Sequence, residues 1–556
     1  MTRYLNAIVL LRTRGPQSAS LFFLSLFFII GCEARSTVDV VYFKAETTLV
    51  LDQGSVEQPL LNIPRDLAFD PGSESHELVI VNRGAPYRIE NGTYLPNEQA
   101  QCEWRYGHRS TPPKDARFWP SFTLIQAPGT ANQTQQNMVD PWGIHFLAEA
   151  SSIAFGTKHF SPRHHGPSEL TTNPQHYASF GTCGESRNEM KGCVDWPNGK
   201  WKKTTPLDFQ GPTLWSRDPA VLAKRNNVAD DYLAGSFCNG SSDREQCVNN
   251  YTDPVCGDDN PFCDKGQKGH AFTLGSHLDM LHESPMCMGI AWQKQNVYWV
   301  FDGCGGPQFQ PNKQIIRGHG ENASLLADAM AGRAEEEYDR RSCKANGDIV
   351  RYDFRVDHGA GFDDHCDGLI ERFAIGQVKR VDGVPSHMVM WKEHLFIADS
   401  GNKRIGRLNP KDAGQRGDYN KSALSERVNK ACTVVWDREH ARKNIIQPYY
   451  SQQQEGIDLD TPSGLAVMPA SALPLNQTNN ATDDAVLVVS DNTTSRLHFI
   501  SLSAQAEAAG ELLGIVDLSD VVGKGGLMGL AVHPSSNDIY LTDAMEHKVW
   551  RVTLVR

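Results

Sequence analysis

The sequence predicts an all-β fold, a six-bladed β-propeller with loop insertions, from two observations. The first is a strand–turn–strand phrase that occurs three times, as LFIADSGNKRIGRL at 395–408, VLVVSDNTTSRLHFI at 486–500 and IYLTDAMEHKVWRV at 539–552. The second is a short apolar segment that precedes each copy and is entered from a Pro or Gly turn. Repetition of one such unit at long range is typical of radial or solenoid architectures. One small sheet cannot bury both of its faces, whereas six sheets around an axis can.

The apolar segments define six repeat units. They begin near residues 64, 141, 286, 385, 462 and 527. The three upstream units are weaker relatives, in which ELVIVNRG, SSIAFG and VYWVFDG are predicted to be the second strands. In unit three the next strand, IVRYDF, resumes only at Ile349. Each unit is therefore expected to form one blade, built outward from an innermost strand.

Closure of the ring needs one more strand, because the last unit supplies only three before the chain ends at Arg556. Residues 38–51, VDVVYFKAETTLVL, are rich in β-branched side chains and precede the first unit. We expect this segment to form the missing outer strand of the last blade.

The repeated phrase places a carboxylate where its first strand ends and a basic residue five positions later. The pairs are Asp399 with Arg404, Asp491 with Arg496, and Asp543 with Lys548. Asp302 ends the corresponding strand of unit three. Recurrence at one repeat position predicts structural carboxylates that accept hydrogen bonds from turn amides.

The last three units resemble the NHL-type propeller repeat, which typically reads PxGIAV followed by LYVADxxNxRI. Their counterparts here include PSGLAV at 462–467 and LFIADSGNKRI at 395–405. The resemblance covers about half of the chain and implies a six-bladed fold. Function has to be argued from sites, because propellers host enzymes, receptors and scaffolds alike.

The amino terminus and the overall charge bound the compartment and the partners. Residues 1–34 combine early arginines, an apolar run at 21–30 and small residues at its end, which predicts a cleaved signal peptide and a secreted protein. Alternatively, IIGC at 29–32 resembles a lipobox, and only a lipid on Cys32 would then attach the chain to a membrane. The formal charge of −12 and the lack of a basic tract predict no nucleic-acid partner.

Sequons and cysteines favour secretion. Nine N-x-S/T sequons are present, at Asn91, Asn132, Asn239, Asn250, Asn322, Asn420, Asn476, Asn480 and Asn492. Of thirteen cysteines, twelve remain without Cys32, an even number that predicts disulfides of unknown connectivity.

Two insertions are predicted within the propeller of residues 38–556. Residues 160–270, which contain a cysteine cluster, are expected to form a disulfide-stapled insertion between blades two and three. Residues 304–348 are expected to form a helical insertion in blade three, because apolar residues recur with helical spacing in ASLLADAMAGRAEEEYDRR. Cys304 and Cys343 flank this insertion, and their pairing is a hypothesis.

Imidazoles and carboxylates cluster around units three and four and could bind a metal ion. Such a mixture suits zinc, whereas carboxylates with backbone carbonyls suit calcium. The alternative is a loop whose side chains cap turns. The candidate ligands are His277, Asp279, His282, His358, Asp364, His365 and His387.

A second resemblance concerns chemistry. The segment LVIVNRG at 78–84 is similar to the one that supplies a catalytic arginine in peptidyl-hydroxyglycine amidating lyases, six-bladed enzymes with a central zinc. The resemblance implies a catalytic role for Arg83. The chain departs from that family after Pro141 and Pro385, where Trp142 and Ser386 replace the zinc histidines, and His387 is displaced by one residue.

These features predict a binding or interaction module with a protein, peptide or glycan ligand. The innermost strands are mostly Gly, Ala and Val, whereas propeller enzymes converge polar side chains on the axis. The alternative is a metal-dependent propeller enzyme, lyase-like or a hydrolase, that acts in a central pocket. Zinc would favour this enzyme, whereas calcium alone would fit a structural ion.

Overall fold

The structure, a computed structural model, describes the chain in segments between residues 41 and 555. These segments are 41–54, 60–84, 87–90, 93–96, 120–139, 150–156, 180–184, 211–215, 223–224, 277–280, 284, 286–294, 296–303, 316–318, 346–354, 369–411, 432–435, 446–451, 458–474, 485–502 and 509–555.

Nearly all regular structure in these segments is β-strand. Two short 3-10 turns, Ser400–Asn402 and Ala470–Ala472, are the helical elements of the described residues. The first strands are β1 Ala45–Leu51, β2 Pro64–Phe69, β3 Leu78–Asn82, β4 Tyr87–Glu90, β5 Thr93–Pro96, β6 Ser121–Gln126, β7 Thr134–Val139, β8 Ala150–Phe155, β9 Phe180–Gly184, β10 Thr213–Trp215, β11 Ala223–Lys224, β12 His277–Met280, β13 Cys287–Lys294, β14 Val297–Asp302 and β15 Ile316–Gly318. The others are β16 Gly347–Asp353, β17 Leu369–Val378, β18 Met388–Trp391, β19 His394–Asp399, β20 Arg404–Leu408, β21 Cys432–Val435, β22 Gln447–Tyr450, β23 Pro462–Pro469, β24 Ala485–Asp491, β25 Arg496–Leu502, β26 Leu512–Asp517, β27 Leu527–Val532, β28 Ile539–Asp543 and β29 Lys548–Leu554.

Six sheets arranged around an axis confirm the predicted all-β, six-bladed propeller. From the axis outward, the blades are β2-β3-β6-β7, β8-β9-β10-β12, β13-β14-β16-β17, β18-β19-β20-β22, β23-β24-β25-β26 and β27-β28-β29-β1. The innermost strand of each blade packs against those of its two neighbours. We call the face at which these innermost strands begin the top face. β11 adds to blade one, and β21 with β15 adds to blade three.

The prediction for unit two was wrong in its strand order. SSIAFG, expected to be a second strand, is part of β8, which is the innermost strand and pairs with β9 alone within its blade. Residues 141–149, which include the predicted innermost strand, lie outside the described residues. The misassignment arose because PWGIHF matches the apolar pattern of an innermost strand better than ASSIAF, in which two serines replace apolar or Gly residues.

Ring closure by the amino-terminal segment is confirmed. β1 pairs antiparallel with β29, from Ala45 opposite Leu554 to Leu51 opposite Val549. Just before β1, the chain exchanges main-chain hydrogen bonds with Ile515 of β26, from Phe43 N–H to Ile515 O at 2.8 Å and from Ile515 N–H to Val41 O at 2.9 Å. The amino-terminal segment therefore joins blade six to blade five as well as completing blade six.

The hydrophobic core is divided among the junctions between adjacent blades. Each of the six junctions has its own cluster of buried apolar side chains. Second strands such as β14 and β24 are buried along their whole length, because both of their faces contact a neighbouring blade. This burial explains why their sequences are continuous apolar runs and do not alternate.

One disulfide lies within the described residues. Cys183 on β9 and Cys287 at the start of β13 are bonded, and their Cα atoms are 4.9 Å apart. The bond joins blade two to blade three across 104 residues of sequence, and it constrains the unfolded chain accordingly.

The predicted insertions are described only in part. Within residues 160–270, β9 and β10 belong to the sheet of blade two. Most of residues 304–348, with Cys304 and Cys343, lies outside the described residues, as do Cys32 and the predicted signal peptide. Across the described segments no helix is both long and apolar enough to cross a membrane.

Deleting residues 38–51 from the full chain should abolish cooperative unfolding. The deletion leaves β29 with an unpaired edge and removes Val50 and Leu51, whose burial contributes about 1.5–3 kcal/mol each. Thermal unfolding followed by circular dichroism measures the effect. Leu49→Thr, at a position that is 44% exposed on the same strand, is the control. A deletion variant that melts in the same single transition as the parent would contradict this role of β1.

His498 on β25 makes the stability of blade five sensitive to acid. Its side chain points to the same face of β25 as those of Ile500 and Leu502, which pack at the junction with blade four. The side chain is fully buried and neither ring nitrogen has a hydrogen-bond partner. Burial, followed by the charge of Arg496, lowers the pKa of His498 from 6.5 to about 4.

The free energy of unfolding should therefore fall as the pH drops from about 6.5 toward 4. Over this window the unfolded chain binds a proton at His498 that the folded chain excludes, which costs about 1.4 kcal/mol per pH unit. In His498→Leu this loss should disappear, so the difference in the free energy of unfolding between the variant and the parent should shift in favour of the variant as the pH falls. Urea unfolding at several pH values measures it, with the half-exposed His394→Leu as control. An unchanged pH profile in His498→Leu would count against the inference.

Candidate functional site

Carboxylates at the ends of the second strands stabilise turns on the top face. Oδ1 of Asp491 accepts the backbone N–H groups of Thr461, Thr493 and Thr494 at 3.2, 3.0 and 3.1 Å. Asp543 accepts two N–H groups of its own turn in the same way. Burial is the largest influence on Asp491 and raises the pKa of its carboxyl, while the amide hydrogen bonds oppose that effect. The predicted turn role of these residues is confirmed.

The basic residues of the repeated phrase behave differently from one another. Each lies directly opposite its Asp in the strand register. Arg404 forms an ion pair with Asp399 at 2.7 Å, whereas Arg496 pairs with Asp517 at 3.1 Å. Register alone therefore does not determine which carboxylate the basic side chain contacts.

One aligned position of the innermost strands brings neighbouring blades close together: it is the third residue of β2, β8, β13, β23 and β27, and in blade four it is His387, directly before β18. In each blade the following residue pairs with the residue two before the end of the second strand, so the six strands align without ambiguity. Three blades carry Gly at this position, and a Cβ there would lie 2.0–2.5 Å from backbone atoms of the adjacent blade. These glycines are Gly289, Gly464 and Gly529.

The other three blades carry polar side chains at that position, and these meet. Asp66 of blade one, Ser152 of blade two and His387 of blade four form what we call the axial trio. Oδ2 of Asp66 accepts the Ser152 hydroxyl at 2.9 Å, and its Oδ1 lies 3.6 Å from Nδ1 of His387. All three side chains are buried. Blades one and four are opposite each other in the ring, so His387 spans the axis.

Backbone groups hold the trio in one arrangement. Asp66 also accepts the N–H of Leu67 at 2.9 Å and that of Ile153 at 3.0 Å. Nε2 of His387 lies 3.1 Å from the carbonyl oxygen of Ser151. A carbonyl oxygen can only accept, so Nε2 carries a proton and Nδ1 faces the carboxylate.

Burial and electrostatic contacts act in opposite directions on the pKa of the Asp66 carboxyl. Burial raises the pKa of the Asp66 carboxyl, and the charge of His387 together with the three hydrogen bonds acts against this increase. The contact between Asp66 and His387 is an ion pair when His387 is protonated.

Further polar contacts join the innermost strands near the trio. The Ser151 hydroxyl donates to the carbonyl of Cys287 at 2.7 Å, and Ser386 N–H donates to Met288 O at 3.1 Å. His387 N–H donates to Ser463 O at 3.0 Å, and the Ser463 hydroxyl donates to a carbonyl of blade six. Neighbouring blades are thus tied to one another at the axis as well as at their apolar junctions.

A tight turn on the top face shortly precedes His387 in the chain and contacts blades one and six. Residues 381–384 form this turn, with Gly383 at φ 79° and the Val384 N–H donating to Val381 O at 3.1 Å. Val384 packs on Met528 and Ala544 of blade six. Nη1 of Arg65, from blade one, donates to the Gly383 carbonyl at 2.7 Å. The axis is therefore crossed at two levels, by His387 and by Arg65.

The axial trio has the same residue types as a catalytic Ser-His-Asp triad, but its hydrogen bonds are different. In such a set the serine hydroxyl contacts the histidine, which removes its proton. Here the Ser152 hydroxyl donates to the carboxylate of Asp66, and Nε2 of His387 is directed at a main-chain carbonyl. The arrangement is suited to holding blades together across the axis, and no activated nucleophile results from it.

The structure separates the predicted metal ligands that it describes. His387 lies at the axis of blade four, whereas His277 and Asp279 are on β12, the outermost strand of blade two. The other predicted ligands, His282, His358, Asp364 and His365, lie outside the described residues. Within the described part of the chain, no group of three or more His, Cys, Asp or Glu residues is placed to share a metal ion.

Arg83 lies next to the axis on the top face. It follows β3, is only 3% exposed, and its N–H donates to the carbonyl of Ile63 at 3.0 Å. Ile63 packs against the same cluster as Val384, so Arg83 is close to the turn of residues 381–384.

Sequence reasoning missed Asp66 and Ser152 and identified His387 only as a candidate metal ligand. It treated the innermost strands as poor in titratable groups, whereas three of the six aligned positions carry polar side chains at the axis. A signal was present, because Asp66 and His387 stand where Gly464 and Gly529 stand in the repeat. For Ser152 the signal was hidden by the wrong innermost strand assigned to unit two.

No protein-family model and no curated protein sequence matches the chain. Among solved structures, it is similar to a luciferin-regenerating enzyme, with 8% identity, a TM-score of 0.36, and coverage of 92% of this chain and 95% of that one. It is similar to the PQQ-bound aldose sugar dehydrogenase of Streptomyces coelicolor, with 11% identity, TM-score 0.34, and coverage of 92% and 99%. A Bacteroides thetaiotaomicron auxiliary nutrient binding protein shows 8% identity, TM-score 0.33, and coverage of 92% and 76%. Likeness at this level says nothing about activity or ligand.

Asp66→Ala should lower the free energy of unfolding by about 3–5 kcal/mol, the usual cost of removing one partner of a buried charge pair. It leaves the Ser152 hydroxyl and two backbone N–H groups without their acceptor, and it removes the carboxylate that lies 3.6 Å from Nδ1 of His387. Urea unfolding measures the change. Asp382→Ala, at a side chain 58% exposed in a surface pair with Arg380, should cost at most about 1 kcal/mol. Equal effects of the two substitutions would disprove the role assigned to the trio.

Proposed function

We propose that the protein is a secreted binding module that recognises a protein, peptide or glycan through the faces of the propeller. The observation that supports this proposal is how the polar side chains at the axis are held. The side chains of the axial trio contact one another and the main chain, and both His387 and Arg65 reach across the axis.

A reactive centre at the axis would need a different arrangement. It requires a nucleophile or base within hydrogen-bond reach of substrate, in a concave pocket. The three side chains of the trio are each less than 10% exposed, and the turn of residues 381–384 is joined to blades one and six. Opening this region would break contacts from blades one, two and four together. The axis therefore stabilises the ring, and recognition is assigned to its surfaces.

We assign the recognition surface to the top face of blades one to three, and the lengths of the connections between second and third strands support this assignment. In blades four, five and six these connections are tight turns, at 400–403, 492–495 and 544–547. In blades one, two and three they are the long segments between β3 and β6, β9 and β10, and β14 and β16. Long loops on a rigid scaffold are a common location for binding residues.

Binding and turnover can be tested on the same preparation. The full-length chain, secreted from a eukaryotic host with its own amino terminus, is applied to a printed glycan array and to a displayed random-peptide library. We expect one ligand class to be retained and recovered with unchanged mass, because the Ser152 hydroxyl is engaged by the Asp66 carboxylate and Nε2 of His387 by a main-chain carbonyl. The zinc and calcium contents of the same protein are measured alongside.

The matched variant is Arg83→Lys, which keeps the positive charge but not the guanidinium geometry. A binding module should retain its ligand in this variant, because Arg83 is buried. A steady change in ligand mass that depends on stoichiometric zinc and is lost in Arg83→Lys would overturn the proposal in favour of a lyase-like enzyme. Retention of the protein inside the host would overturn its secretion.

A further inference from the structure

Two of the nine sequons lie on described residues, and their asparagines differ in solvent exposure. Asn132 is exposed on the turn between β6 and β7 of blade one. Asn492 is buried, with 5% of its surface exposed, on the turn between β24 and β25 of blade five. A glycan on an N-x-S/T sequon is bulky and needs a surface position.

The amide nitrogen of Asn492 is already used by the fold. Nδ2 donates to the carbonyl oxygens of Gly525 at 3.0 Å and Leu527 at 2.9 Å. Its main chain is also held, because its N–H donates to Thr461 O and its carbonyl accepts the Gly525 N–H, each at 2.9 Å. Asn492 therefore ties blade five to the segment that enters blade six. A sugar on Nδ2 would replace one of these donors and occupy the space of blade six.

The turn that carries Asn132 is rigid, but Asn132 contributes little to that rigidity. Tyr540 and Arg551 of blade six donate to the carbonyls of Pro128 and Gly129, and Gln133 Nε2 donates to Val50 O. Asn132 itself donates its backbone N–H to the Thr130 hydroxyl. No hydrogen bond among the described residues engages its side chain. A sugar on Nδ2 here would displace no contact of the fold.

We infer that Asn132 is an N-glycosylation site and that the folded protein carries no glycan on Asn492. The inference rests on the proposed secretory route. In the transfer step, Nδ2 of Asn132 bonds to the anomeric carbon of an oligosaccharide carried on a lipid pyrophosphate. The bond from that carbon to the pyrophosphate oxygen breaks, Nδ2 loses one proton, and no group is oxidised or reduced. The other seven sequons lie outside the described residues or at positions whose side chains are not described.

The test uses the full-length protein secreted from a eukaryotic host and selected for cooperative unfolding. Enzymatic deglycosylation in heavy-oxygen water marks each occupied asparagine as a labelled Asp, and peptide mass spectrometry locates the marks. We expect Asn132 to be marked and Asn492 to be unmarked. Occupied Asn492 in the folded fraction, or unoccupied Asn132 beside other occupied sequons, would overturn the inference alone. No glycan on any sequon would overturn the secretory route with it.

A matched pair of variants removes each sequon without changing its asparagine. Thr134→Ala removes the Asn132 sequon at the cost of one exposed hydrogen bond to Gln126. Thr494→Ala removes the Asn492 sequon, and the Thr494 hydroxyl has no hydrogen-bond partner to lose. We expect Thr134→Ala to lose the mass of one glycan from the intact protein and Thr494→Ala to lose none. The reverse pattern would refute the assignment even if one variant were secreted poorly.

Discussion

Each blade of this propeller can bury its two faces only against its two neighbours, and the rest of the structure depends on that constraint. The six apolar clusters lie at the six junctions between blades, so no blade has a complete core of its own. A break anywhere in the ring exposes two faces at once. Closure of blade six by β1 and the polar ties at the axis therefore act on the stability of all six blades.

The axis shows how a repeated position acquires different uses in different blades. Gly is required at the third position of three innermost strands, because a Cβ there would overlap the backbone of the next blade. The same aligned position holds Asp66, Ser152 and His387 in the other three blades. Burial of a carboxylate and an imidazole is tolerated because each contacts the other or a main-chain group. Because these contacts already engage the two side chains, binding rather than turnover is the function that we propose.

Patterns that recur within one blade could be interpreted without a structure. The repeated phrase predicted the turn role of Asp491 and Asp543, and the β-branched segment before unit one predicted the strand that closes the ring. Patterns that depend on contact between blades could not. Asp66 and His387 are 321 residues apart in sequence, and nothing local indicates that a six-membered ring places blades one and four opposite each other. Asn492 and Asn132 both lie in complete N-x-S/T sequons, and only the hydrogen bonds of Asn492 to the segment that enters the neighbouring blade distinguish them.

By itself, the sequence determined the all-β class, the number of blades, the turn carboxylates and the identity of the closing strand. Each of these follows from local spacing, because strand periodicity and turn chemistry are encoded within a few residues. The tertiary structure alone decided that a serine-containing segment forms the innermost strand of blade two. It also decided which side chains meet at the axis and which asparagine side chain makes no hydrogen bond to the rest of the described chain. These depend on distances between blades, and packing around the axis sets those distances.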